Sequence, residues 1–138
     1  MDAFLWPDTV GVSAAGQLSI GGCELAALAR EFGTPLYLLD EATFRAQCRT
    51  YRSALARHYP GTGQVHYAGK ALLNTAVAQL ATSEGLGLDV VSGGELFVAL
   101  RAGVPATHIH LHGNAKPRAE LEQALAVGIG KIMVDSLD

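Results

Sequence analysis

Short apolar runs of strand length begin near residues 36, 65, 87, 109 and 131, so the gaps between them are 29, 22, 22 and 22 residues. A constant step of this size is the length of one short βα unit. Between the runs lie stretches with helical spacing. Residues 36–39 read Leu-Tyr-Leu-Leu and predict a first strand. Phe44, Cys48, Tyr51 and Leu55 then form one apolar stripe, closed by Pro60-Gly61. Residues 64–70 predict a strand, and 71–83 a helix burying Leu72, Leu73, Ala76, Val77 and Leu80. Residues 86–91 predict the next strand. Ser92-Gly93-Gly94-Glu95 has the form of a capping box, before a helix packing Leu96, Phe97 and Leu100. A strand over 109–112 follows, then a helix over 118–127 with Leu121, Ala124 and Leu125 inward, closed by Gly128, and a last strand over 131–135. Strands alternating with helices argue for a parallel sheet with covering helices.

Residues 1–33 lie outside this rhythm. Residues 10–20 predict a weak strand or hairpin, and 22–32 a helix with Leu25, Leu28, Ala29 and Phe32 in register. Gly33 and Thr34-Pro35 stop it. The expected organisation is an N-terminal segment over 1–33 and an α/β domain over 34–138.

Two architectures share the pattern. A doubly wound open sheet is complete with five strands in about 120 residues. A (β/α)8 barrel needs about 250, and this chain has 138. Length favours the open sheet; composition, 49% hydrophobic and 17% charged, fits either and excludes a disordered tail or a collagen-like rod. A net charge of −3 without a basic stripe argues against a nucleic-acid surface. No apolar run approaches the roughly 18 residues of a membrane span, and residues 1–7 lack the basic start of a secretory signal. Two cysteines, Cys23 and Cys48, make neither a disulfide framework nor a metal cluster. The expected setting is the cytoplasm.

In both architectures chemistry collects at the carboxyl ends of the strands. Asp40, Lys70, Asp89, His112 with Asn114, and Asp135 stand there. Asp40 and Asp135 read most simply as helix caps or solvated residues. Lys70 follows Val65-His66-Tyr67-Ala68-Gly69, and Gly69 is expected to leave space beside it. A desolvated lysine loses proton affinity and can then attack a carbonyl to form a Schiff base; taken alone, Lys70 reads more simply as a snorkelling surface lysine. Asp89 is one βα unit further on, where it is expected near Lys70, orienting its amine, or else capping a turn. Glu95 is a capping partner or a site acid. His66 and His110 read as structural, and no third ligand at metal-like spacing accompanies the histidines. Gly85-Leu86-Gly87 lacks the further glycine of a dinucleotide loop.

Taken in order, three runs make a more specific pattern. They are Tyr67-Ala68-Gly69-Lys70, the stretch 87–96 reading Gly-Leu-Asp-Val-Val-Ser-Gly-Gly-Glu-Leu, and Leu111-His112-Gly113-Asn114-Ala115-Lys116. Together with Thr34-Pro35-Leu36-Tyr37 and Ile132-Met133-Val134-Asp135-Ser136 they resemble the diaminopimelate decarboxylases, pyridoxal-phosphate enzymes with an alanine-racemase-like barrel. The resemblance runs from about residue 18 to the end. It implies a partial (β/α)8 barrel, about five of eight strands, in an N-terminal fragment of such an enzyme. It implies pyridoxal 5'-phosphate held by Lys70, with Asp89 and His112 in the cofactor shell. Glu95, Asn114 and Lys116 would line the cleft. The implied reaction is decarboxylation of meso-diaminopimelate to lysine, in a homodimer. The family's ring-stacking histidine, phosphate loop, pyridine-nitrogen acid and C-terminal β-domain find no counterpart here, so the isolated chain is expected to be inactive and poorly soluble. Gly69 stands where the family often has a larger residue.

Two other readings remain open at this point. One is a related decarboxylase for arginine, ornithine or carboxynorspermidine. The other is a stand-alone five-strand phospho-acceptor signalling domain with Asp89 as acceptor, although Lys131 begins the fifth strand instead of ending it.

Overall fold

The computed structural model describes residues 5–136. The chain divides into two compact units between Gln47 and Cys48, beyond the expected 33/34 boundary. The shift has a local cause. Thr43 accepts from the Asp8 N–H at 2.8 Å, and Asp40 takes a hydrogen bond from Thr43 N–H at 3.0 Å and another from the Thr43 hydroxyl. The start of the long helix is thereby bound to the N-terminal segment.

The first unit opens with an antiparallel sheet of three short strands, β1 (Gly11–Val12), β2 (Leu18–Ile20) and β3 (Cys23–Glu24), in that order. The expected hairpin is present. A third strand is added because Gly21 and Gly22 both take positive φ, 58° and 79°, so the chain folds back and pairs Ile20 with Cys23. Helix α1 (Leu25–Phe32) follows and ends at Gly33, φ 80°. Helix α2 (Glu41–His58) is capped by Asp40, whose carbonyl accepts from Phe44 N–H at 3.0 Å. Its stripe is narrower than expected: Cys48 is buried, but Tyr51 is exposed.

Residues 36–39 form no strand, and all four of their side chains are exposed. An apolar tetrapeptide becomes a strand only when a ladder partner takes its N–H and C=O groups, and among the described residues none does. The parallel sheet consequently has four strands, one fewer than expected.

Those four are β4 (His66–Ala68), β5 (Gly87–Val90), β6 (Ile109–Leu111) and β7 (Lys131–Ile132), all parallel and in sequential order. The order never reverses, so the sheet has no doubly wound switch point. The connections are α3 (Thr75–Ser83), α4 (Gly93–Arg101) and α5 (Arg118–Val127). Helix α3 starts four residues later than expected. A one-turn 3-10 helix takes Gly69–Ala71, and the Asn74 side chain, accepting from Val77 N–H at 2.9 Å, fixes the start at Thr75.

The strands alternate because helices cover one face. Leu88, Val90, Ile109 and Leu111 are fully buried with Val77, Ala78, Ala81, Leu96, Ala99 and Ala124. Each buried leucine or isoleucine stabilises by about 2–3 kcal/mol. Asp89 and His110, between them, face the other side as register partners. Phe97, Leu125 and Leu72, expected to pack inward, are exposed. Phe97 and Leu125 each follow a buried helical residue, Leu96 and Ala124, and one residue turns about 100° around a helix.

Candidate functional site

The carboxyl edge of the four-stranded sheet carries the polar residues in chain order. Lys70 lies in the 3-10 turn directly after β4 and is exposed, so the desolvated setting expected from sequence is absent among the described residues. Gly69 does not leave space either. A Cβ there would lie 3.1 Å from the Asp89 carbonyl, 3.1 Å from a Glu95 carboxylate oxygen and 3.2 Å from Leu73. The glycine lets the backbone carrying Lys70 sit directly on β5 and on the Glu95 carboxylate.

Glu95 itself half-completes the capping box. Ser92 Oγ accepts from Glu95 N–H at 3.2 Å, as expected. The Glu95 carboxylate, however, accepts from Val91 N–H at 2.9 Å, one residue before the cap. Its negative charge at the amino end of α4 is favourable.

Asp89 does not turn to Lys70. Its Oδ2 lies 3.2 Å from His112 Nδ1, across one strand spacing. The other ring nitrogen, Nε2, is 3.9 Å from Asp135 Oδ1. The register explains both. Asp89 pairs with His110, so His112, two residues on and on the same face, reaches back to it. Asp135, read as a cap or solvated from sequence, lies beyond the end of β7 and faces His112 instead. The sequence held a signal for it: Asp89, His112 and Asp135 are spaced by 23 residues each.

Asn114 and Lys116 belong to the loop after β6. Gly113 has φ 128° and Ala115 φ 51°, and Lys116 Nζ donates to the Gly113 carbonyl. The two residues line an open cavity of about 490 Å³ together with Leu121, Asp135 and Ser136. Lower on the same face, His66 and His110 stack with ring centroids 3.7 Å apart. Burial pushes both imidazoles below their usual range. Each ring thus packs on the other beneath the strand ends. Asp40 is a cap too, and its hydrogen bond from the Thr43 hydroxyl holds its carboxyl below the usual carboxylate value. Among the described residues no group of three or more His, Cys, Asp or Glu could hold a metal ion, and no helix is long and apolar enough to cross a membrane.

Residues 41–138 match the family described as pyridoxal-dependent decarboxylase, pyridoxal binding domain. The chain belongs to that family. Pyridoxal phosphate is therefore its cofactor, and the site fits it: a solvent-accessible amine at a strand end, a backbone glycine packed beneath, and an acid–imidazole pair one strand over. The chain is 45% identical over 140 residues to a diaminopimelate decarboxylase of Synechocystis sp., covering 96% of this chain and 30% of the relative. It is 49% identical over 128 residues to one from Bacillus methanolicus, covering 93% and 29%. A crystal structure of diaminopimelate decarboxylase from M. jannaschii superposes with a TM-score of 0.86 at 37% identity, over 96% of this chain and 31% of that one. A structure of that enzyme in complex with L-lysine gives 0.83 at 37%, over 94% and 30%. The chain thus spans about 30% of the length of the curated relatives it matches. The phospho-acceptor reading falls with the family assignment, and with the Asp89 carboxylate turned to His112.

Proposed function

We propose that this chain is the amino-terminal part of the cofactor-binding barrel of a diaminopimelate decarboxylase, which converts meso-2,6-diaminopimelate to L-lysine and CO2. The observation that carries the reading is the ordered edge of Lys70, Asp89, Glu95 and His112 on a sequentially wound parallel sheet, in a chain nearly half identical to such enzymes. Sequential parallel strands with helices covering one face are one arc of a (β/α)8 barrel. The arc here has four strands. A homodimer, an amino-acid substrate and a cytoplasmic setting come with the same reading.

Lys70 is the cofactor anchor. Its turn is fixed from below by Gly69 packed on Glu95 and Asp89, and from behind by the Asn74 cap. Exposure leaves its amine free to reach a carbonyl carbon. Glu95 holds the Val91 N–H and so fixes the turn between β5 and α4. Asp89 accepts from the imidazole Nδ1–H of His112, which sets the ring's orientation. When bound, pyridoxal phosphate supplies an electron sink for the charge left by departing CO2. Asn114 and Lys116, which line the open cavity, are the cleft-lining residues of this reading.

The test is product formation by the complete reading frame that carries this sequence. Lysine and CO2 from meso-diaminopimelate, lost in Lys70→Ala, are expected. Turnover of ornithine, arginine or carboxynorspermidine in its place would overturn the substrate assignment.

A further inference from the structure

We infer that Asp135 is a positioning residue for the cofactor site, acting through His112. This rests on the reading above that Lys70, Asp89 and His112 surround pyridoxal phosphate. His112 lies between two carboxylates contributed by the neighbouring strand ends, Asp89 at 3.2 Å from Nδ1 and Asp135 at 3.9 Å from Nε2.

A histidine side chain with one partner is poorly fixed, because the torsion about Cβ–Cγ has broad, roughly two-fold wells. The His112 side chain is 41% exposed, so packing alone does not lock it. Asp89 is the better held of the two acids, 21% exposed against 52% for Asp135. Asp135 supplies what Asp89 cannot. The protonated ring is drawn to an anionic oxygen beside each nitrogen, so turning away from one acid leaves both, whereas the neutral ring, donating through Nδ1, is held by Asp89 alone. Removing Asp135 frees the far side of the ring, and the Asp89 contact then holds it alone.

The three residues also share one origin in the fold. They occur one βα unit apart, on β5, after β6 and after β7, so the sheet itself brings them into a row. A merely solvated Asp135 would face water and not the imidazole. Asp135 touches neither Lys70 nor Asp89 in this row, so its influence passes through the His112 ring.

A double-mutant cycle on pyridoxal-phosphate binding tests this. In the protein encoded by the complete reading frame that carries this sequence, the dissociation constant is measured by absorbance titration for the unaltered form, Asp135→Asn, His112→Asn and the double variant, with circular dichroism confirming that each is folded. Asp135→Asn is expected to weaken binding roughly three- to tenfold and to alter the spectrum of the bound cofactor. In the His112→Asn background the same change should have no further effect. Asp135→Glu, which keeps the carboxylate, should restore most of the affinity. Additive losses in the double variant, or full binding by Asp135→Asn, would overturn the positioning role while leaving the cofactor reading intact. Absence of binding by the unaltered protein would overturn the cofactor reading, and this inference with it.

Discussion

Replacing Gly87 with alanine should destabilise the sheet, and the structure sets the size of the effect. Gly87 begins β5, opposite His66 on β4. A Cβ there would run into the His66 ring and stand 2.6 Å from the His108 carbonyl oxygen. Ordinary contacts begin near 3.4 Å, so something must move by close to an ångström. The ring can swing, but only by leaving its stack on His110. The carbonyl is backbone in the 3-10 turn Ala106–His108 and can move only with β6. Overpacking of this kind costs about 1–3 kcal/mol, and a collision with backbone puts this site near the top of that range. Alanine offsets about 0.4–1 kcal/mol by restricting the unfolded chain. The net loss is about 2 kcal/mol, or roughly 8 °C in the melting temperature of a domain this size. Thermal melts followed by circular dichroism measure it. Gly94→Ala is the control: nothing lies nearer than Ser92 Oγ at 3.7 Å, in the first turn of α4, so it should be neutral or stabilising. Adding His66→Ala to Gly87→Ala should recover only the part of the loss due to the ring. If Gly87→Ala melts no lower than Gly94→Ala, the stacked pair and its close glycine are wrongly described.

Three further outcomes follow from the same contacts. Glu95→Ala should cost about 1–2 kcal/mol in urea denaturation, because Val91 N–H loses a charged acceptor, whereas Glu95→Gln should keep most of it. The stability–pH curve should fall on acidification below about pH 6.5. His66 and His110 have lowered values in the fold, so the unfolded chain takes up protons first, and the stability present above pH 6.5 is lost below it; His66→Gln with His110→Gln should flatten this limb. Asp40→Ala should cost about 1 kcal/mol through the lost cap of α2. Asp40→Asn should abolish the acid-sensitive part of that stability, which is present above about pH 4 and lost as pH falls through the lowered carboxyl value.

The 22-residue step was the most legible feature, because βα units of constant length repeat their polar strand ends as well as their apolar runs. It located Lys70, Asp89 and His112, and the helix over Arg118–Val127 fell where its spacing placed it. What single positions do was harder to read. Asp135 looks like any polar residue after a strand, and only the lateral register sets it against His112. Gly69 reads as space in one dimension and is a tight contact in three. The run over 36–39 has strand composition, but pairing belongs to the partner, which local sequence does not contain. The reciprocal half of the capping box missed by one residue, since the Glu95 carboxylate is drawn to the N–H of Val91 under the packed Gly69.

Lys70 is one of three lysines in the chain, with Lys116 and Lys131, so the amine that holds the cofactor can be mapped directly. The protein is incubated with pyridoxal phosphate, reduced with borohydride to fix the cofactor to the amine that holds it, and mapped by peptide mass. One label is expected, on Lys70, and an unlabelled protein in Lys70→Ala. A label distributed over Lys116 and Lys131, or retained in Lys70→Ala, would contradict Lys70 as the anchor.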